Sequence, residues 1–142
     1  MTPEPRTSAI RTIQRELTAF ARRARGRASE LHPELSLVAF SILDLVIERD
    51  GCQATDVADH FVLDKSTVSR QVGALERLGY LTREVDPDNR RNHILRPTAD
   101  GRRVAGEAER RRHREFAERL TGWDDADIRR FAEYLVRYNT AK

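Results

Sequence analysis

Apolar residues recur at helical spacing along much of this chain. From Ser8 to about Gly26, Ile10, Ile13, Leu17, Phe20 and Ala24 form one stripe, with Arg11, Arg15, Arg22 and Arg23 mostly off it. After a break around His32-Pro33, Leu35, Val38, Ile42, Leu45 and Val46 predict a second, more apolar helix that stops before Asp50-Gly51, with the glycine as a left-handed stop. Thr55 is placed to cap a short helix through Phe61, with Val57, Ala58 and Phe61 facing inward, and Val62-Leu63 turns the chain. Asp64 then stands as N-cap of a helix from Lys65 to Leu78, closed by Gly79. Val68, Val72 and Leu75 fall at i, i+4 and i+7 of that helix, one stripe for a core, which leaves Ser66, Thr67, Ser69 and Arg70 pointing elsewhere.

Past Gly79 the period changes. Leu81 to Val85 and Asn92 to Arg96 can pair as a hairpin across the polar loop Asp86 to Arg91, whose proline and asparagine suit a turn. Thr98-Ala-Asp-Gly101 opens a long, Arg-rich helix running to Leu120. Trp123-Asp124-Asp125 starts a last helix, with acidic residues at its positive end and Ile128, Phe131, Leu135 and Tyr138 at helical spacing. The expected fold is mainly α with a small β-hairpin wing, a winged helix-turn-helix carrying N- and C-terminal dimerisation helices. Residues 1–48 and 99–142 would form the helical dimerisation region and 49–98 the DNA-binding region, intertwined as one domain. Neither terminal stripe has an obvious core of its own within the chain, so the end helices are expected to pack together and against a second copy.

Charge adds less than the net +3 suggests. Between Thr55 and Arg96, Lys65, Arg70, Arg77, Arg83, Arg90, Arg91 and Arg96 are matched by Asp56, Asp59, Asp64, Glu76, Glu84, Asp86 and Asp88, so any case for DNA rests on placement. The basic residues are nearly all arginine, with lysine only at Lys65 and Lys142; this suits phosphate recognition and also fits a GC-rich coding bias. Aromatics make up 6% of the chain, too few for single-strand stacking platforms. The single cysteine, Cys52, excludes an internal disulfide and fits a reducing cytoplasm, and no run of about eighteen apolar residues indicates a membrane span.

The ordered series Ala54-Thr-Asp-Val-Ala58, Asp64-Lys-Ser-Thr-Val-Ser-Arg70, Leu75-Glu-Arg-Leu-Gly-Tyr-Leu81, Asp86-Pro-Asp-Asn-Arg-Arg91 and Leu95-Arg-Pro-Thr-Ala-Asp-Gly101 resembles the multiple-antibiotic-resistance regulator (MarR) family of winged helix-turn-helix transcription factors. The resemblance runs from the first helix to the last. It implies a cytoplasmic homodimer on double-stranded DNA, reading a palindromic operator whose half-site centres lie roughly 10 base pairs apart. Carried onto this sequence, Ser66, Thr67, Ser69 and Arg70 would meet bases and phosphates, Thr55 and Lys65 the backbone, and Arg90 the minor groove. Asp88, two residues before Arg90, is expected to orient that guanidinium, and Arg91 could serve phosphate or exchange roles with it.

The expected activity is that of a repressor released by a small-molecule effector. The inner faces of the first two helices, around Leu17, Phe20, Phe40 and Leu43, are candidate pocket walls that serve equally well as plain core. Alternatives are a winged helix used as a protein-interaction module, disfavoured by the hydroxyl-rich face with Arg70, and an architectural DNA binder with no effector. Arg77 and Arg83 are as well suited to ion pairs with Glu76 or Glu84 as to phosphate. Cys52 reads as a small buried residue; family members that sense organic peroxides carry a cysteine in the first helix, where this chain has none. His32, His60, His93 and His113 are scattered without metal-ligand spacing, and neither a glycine-rich phosphate loop nor a nucleophile elbow occurs, so no cofactor, metal or catalysis is expected.

Overall fold

Hydrophobicity concentrates in the second helix, and the N-terminal part of the protein is organised around it. The computed structural model describes residues 4–31 and 35–142, which fall into two compact units meeting at Gly106 and Glu107. In the first unit, helix α2 (Leu37–Glu48) buries Ala39, Phe40, Ile42, Leu43, Leu45 and Val46. Its N-terminus is capped by Ser36, whose Oγ accepts from the Ala39 N–H at 3.1 Å and donates to Gln71 Oε1 at 3.0 Å. Helix α1 (Glu4–Leu31) packs on α2 and buries Ala28. It outruns the expected Ser8–Gly26 at both ends: a single glycine costs a helix only about 1 kcal/mol relative to alanine, and Gly26 is followed by Arg27 and the buried Ala28. The expected break at His32-Pro33 lies outside the described residues.

The end of α2 departs from expectation in one respect. Gly51 does adopt a positive φ, but the residue that takes the left-handed stop is Asp50, at φ 50°. The N–H groups of Asp50 and Gly51 close on the carbonyls of Ile47 and Val46, the bond pattern of a left-handed helix terminus. Strand β1 (Cys52–Gln53) follows and leads directly into α3 (Ala54–Phe61). Thr55 is therefore inside α3, and Gln53 is its N-cap, with the Asp56 carboxylate accepting from the Gln53 N–H at 3.0 Å. The reason is the sheet: Gln53 is paired with Ile94 and still extended, so the helix cannot begin before Ala54.

Helix α4 (Lys65–Arg77) buries the stripe Val68, Val72 and Leu75 and packs on α2 and α3. It ends as expected at Gly79, φ 80°, with Tyr80 N–H closing on Leu75 O at 2.9 Å. Strands β2 (Leu81–Val85) and β3 (His93–Pro97) form the hairpin, and β1 adds to the other edge of β3, giving a three-stranded antiparallel sheet in the order β1-β3-β2. The second strand starts one residue later than predicted because Asn92 is taken by the turn, its N–H bonded to Asn89 O and its carbonyl to Asp86 N–H. Leu81 and Leu95 carry the sheet into the core with Val57, Leu75 and α2.

Helix α5 (Ala99–Arg119) begins at a tight joint. Thr98 Oγ1 accepts from Gly101 N–H at 2.9 Å and donates to Gly79 O at 2.6 Å. A Cβ on Gly101 would lie 2.2 Å from the Tyr80 carbonyl oxygen, so only glycine lets the helix approach this strand end. In the second unit, Glu107–Lys142, the end of α5 turns through Gly122 into α6 (Asp125–Asn139), and the rings of Trp123 and Phe131 lie 5.7 Å apart. No residue of α6 is buried, and Phe131, Leu135 and Tyr138 leave an apolar stripe in solvent. No helix among the described residues is long and apolar enough to cross a membrane.

These backbone constraints have opposite consequences for two substitutions. Gly101→Ala is expected to destabilise by about 1–3 kcal/mol through overpacking against a main-chain oxygen. Val62→Gly, at an exposed valine held at φ 54°, is expected to stabilise by about 1 kcal/mol. Urea unfolding of both variants measures the two signs.

Candidate nucleic-acid interface

The first turn of α4 is built by one carboxylate. Asp64 Oδ1 accepts from the Thr67 N–H at 2.6 Å and from the Ser66 hydroxyl at 2.8 Å. These bonds favour the ionised form and bring the exposed carboxyl down to about 2, the Thr67 backbone bond contributing most. Just before it, Val62 takes a left-handed conformation that a β-branched residue rarely adopts, and this reverses the chain between α3 and α4.

With Val68, Val72 and Leu75 buried, the opposite face of α4 is in solvent. Lys65, Ser66, Ser69 and Arg70 are exposed; Thr67 is half-buried and its Oγ1 accepts from Arg70 Nη2 at 3.3 Å. The arginine is thus steadied by a neighbour one turn back, with the Asp64 carboxylate near enough to interact with its charge. Thr55 is exposed in the first turn of α3.

The wing is shaped by Asp86 and Asn89. Asp86 Oδ1 accepts from Asp88 N–H at 2.9 Å, and Asn89 Oδ1 accepts from Arg91 N–H at 3.2 Å, so two side chains fold the loop onto its own backbone. Arg90 and Arg91 are exposed at this tip. Among the described residues no bond joins Asp88 to Arg90; the loop reaches its shape with the Asp88 carboxylate left out, because Asp86 at the hairpin's first corner already holds the turn.

Of the bonds that fasten the wing, sequence patterns offered the Arg83 ion pair but not the Gln53 bridge. Gln53 joins two of the predicted contact regions: its Oε1 accepts from the Thr55 hydroxyl at 3.4 Å, while its Nε2 donates to Asp86 Oδ2 at 3.1 Å. Arg83 of β2 donates to Glu76 of α4 at 2.6 Å, which ties the wing to the recognition-helix candidate. The exposed hydroxyls of α4 and the wing-tip arginines are therefore linked through scaffold residues and not to each other. Opposite charge was the signal for the Arg83–Glu76 pair, whereas nothing local marked Gln53 as a partner of Asp86.

The other candidates fall into place individually. Phe40 and Leu43 are core, Leu17 is half-buried, and Phe20 is 43% exposed. Cys52 is buried, and burial followed by the Asp56 carboxylate pushes its thiol up against the opposing pull of Arg49, so it stays protonated as a small apolar residue. His60 lies edge-on to Phe61, with Arg49 Nη2 3.4 Å from its Nδ1. Among the described residues no group of histidine, cysteine and acidic side chains could hold a metal ion.

Because the Asp64 carboxyl is lowered on folding, its contribution is complete above the unfolded value near 3.8 and is lost as pH falls through about 2. Asp64→Asn keeps a capping oxygen but has no proton to take up. The variant is expected to show a shallower loss of stability than the parent between these two pH values in urea titrations, and parallel profiles would contradict the cap.

A model of the MarR family matches residues 34–92. The HTH-type transcriptional regulator YxaD of Bacillus subtilis is 28% identical over 134 residues, covering 93% of this chain and 94% of that protein. A MarR-family transcriptional regulator from Rhodococcus sp. RHA1 is similar in structure, with a TM-score of 0.72, 27% identity, and coverage of 87% of this chain and 89% of that one. Streptococcus pneumoniae FabT, solved in complex with DNA, has a TM-score of 0.79 at 18% identity, covering 92% of this chain and 94% of its own.

Proposed function

Since residues 34–92 match a model of the MarR family and the chain is similar over most of its length to an HTH-type transcriptional regulator, we propose that it is a DNA-binding transcriptional regulator of that family and not an enzyme, a homodimeric repressor that reads a palindromic operator and is released from it by a small-molecule effector. The observation that carries this reading is the division of α4: Val68, Val72 and Leu75 inward, Lys65, Ser66, Ser69 and Arg70 outward. A helix so divided can lie in a major groove, where hydroxyls accept or donate to base edges and phosphates, and Arg70 can address guanine O6 and N7 with two parallel bonds. Thr67 Oγ1 steadies Arg70 on this outer face.

The supporting roles follow from position. Thr55 and Lys65 sit in first helical turns, where side chains and free backbone N–H groups together suit phosphate oxygens. Arg90 at the wing tip enters a narrow minor groove, whose potential draws arginine, and Arg91 takes the adjacent phosphate; Asp88 completes the site by turning to Arg90 in the complex. Dimerisation is supported by α6, whose Phe131, Leu135 and Tyr138 all remain exposed. An effector would act by preferring the dimer geometry in which two α4 helices no longer match successive grooves, and Leu17 and Phe20 of α1 are the accessible candidates to line its site.

Three measurements test the assignment on a duplex recovered by selection from random-sequence DNA. Arg70→Ala is expected to weaken binding by about 1–3 kcal/mol and to relax preference at one base pair. Arg90→Ala should lower affinity chiefly for duplexes with A·T-rich flanks; equal affinity for A·T and G·C flanks in the parent protein would contradict the wing role. Phe131→Glu with Leu135→Glu should convert a sedimenting dimer to a monomer and abolish tight binding, and an unchanged sedimentation coefficient would contradict the α6 interface.

A further inference from the structure

The corner between α2 and β1 collects polar bonds from elements far apart in sequence. Asp50 stands at its centre. Its carbonyl accepts from Arg96 Nη1 of β3 at 2.6 Å, and its carboxylate Oδ1 accepts from Arg102 Nη2 of α5 at 2.7 Å. Arg96 is also held on its other side by Glu84 of β2, Nε to Oε2 at 3.3 Å. The backbone is shaped to receive these partners. Asp50 and Gly51 both have positive φ, which turns the Asp50 carbonyl toward the sheet, and a Cβ on Gly51 would lie 2.6 Å from Arg96 Nη1. The guanidinium occupies the space that any other residue's side chain would need.

We propose that Asp50 is a positioning residue for the wing's DNA contact, a latch through which α5, by Arg102, and the wing base, by Arg96, are set against each other. The proposal rests on the wing reading of Arg90 given above. Wing placement has three fasteners: Gln53–Asp86 beside the tip, Arg83–Glu76 to α4, and the Asp50 corner at the base. The first two tie the wing to the helix-turn-helix. The third reaches α5, so a displacement of the α5 N-terminal turns relative to α2 pulls on Arg102 and is passed through Asp50 to Arg96 and β3.

The latch is exposed, with side-chain exposures of 48% for Arg102 and 80% for Asp50, so its effect is modest in size. It is nevertheless specific. Alanine at position 50 both removes the carboxylate and strains the left-handed backbone, whereas asparagine tolerates that conformation and keeps an oxygen for Arg102. Arg102→Ala removes the bond without touching the corner's backbone.

The test combines hydrogen–deuterium exchange of the free full-length protein with operator affinity, for Arg102→Ala, Asp50→Asn and Arg90→Ala. In Arg102→Ala, amides of residues 81–97 are expected to exchange about three- to fivefold faster while those of 65–77 keep parental rates, the size expected of an exposed ion pair. The same variant should lose a similar factor on an A·T-flanked operator and nothing on a G·C-flanked one, and Asp50→Asn should keep parental behaviour. Unchanged wing exchange in Arg102→Ala, faster exchange throughout residues 35–106, or equal loss on both operators would overturn the latch. If the parent and Arg90→Ala bind both flanks alike, the wing reading falls, and the exchange rates still decide whether Asp50 holds the wing.

Discussion

The packing of Val68, Val72 and Leu75 onto α2 is the constraint on which the rest of this protein depends. Burying those three side chains removes them from water and fixes the rotation of α4 about its axis, because a turn of the helix by one residue would expose the stripe and bury Ser69. The polar face is then no longer free to point anywhere else. Asp64 fixes where the helix starts, and Gly79 where it ends, so rotation, register and length are all set by local chemistry. What faces outward is a row of short hydroxyls with one steadied arginine, a surface of hydrogen-bonding groups and little apolar area.

The wing extends this logic from a helix to a hairpin. Its strands are short, β2 exposed apart from Leu81 and β3 half-buried around Leu95, with Leu81 and Leu95 as the anchors in the core. A hairpin with so little burial is marginal alone. Side-chain bonds to β1, α4 and the α2 corner make up the difference, and each of them holds the wing in an orientation as well as in place. Gln53 is the most economical, since one amide both meets Thr55 at the start of α3 and holds Asp86 at the first corner of the loop.

Much of this was legible in the sequence. The i, i+4, i+7 stripe in α4, the Asp64 cap, the Gly79 stop and the bounds of β2 rest on local rules, and the structure agrees with them. The misplacements lie at element ends. Thr55 loses the cap of α3 because Gln53 is held extended by Ile94, forty-one positions away, and Asp50 takes the left-handed conformation beside a glycine that was free to take it. The candidate interface was legible as a set of residue types but not as a connected object. The Arg83–Glu76 pair was open to a reading of charge, but Asp86 and Asp50 hold the rest together through partners 33 and 46 residues distant, and no periodicity records such pairs. The terminal helices were legible as amphipathic but not in what covers them, because the apolar stripe of α6 stays exposed.

The central claim, that the outer face of α4 reads base edges in the major groove, is tested most directly by methylation interference on a duplex selected for binding. Methyl groups at guanine N7 lie in the major groove, so the account predicts that they block binding in two clusters about one helical turn, roughly 10 base pairs, apart. Binding indifferent to N7 methylation, or blocked only by minor-groove adenine methylation, would contradict it.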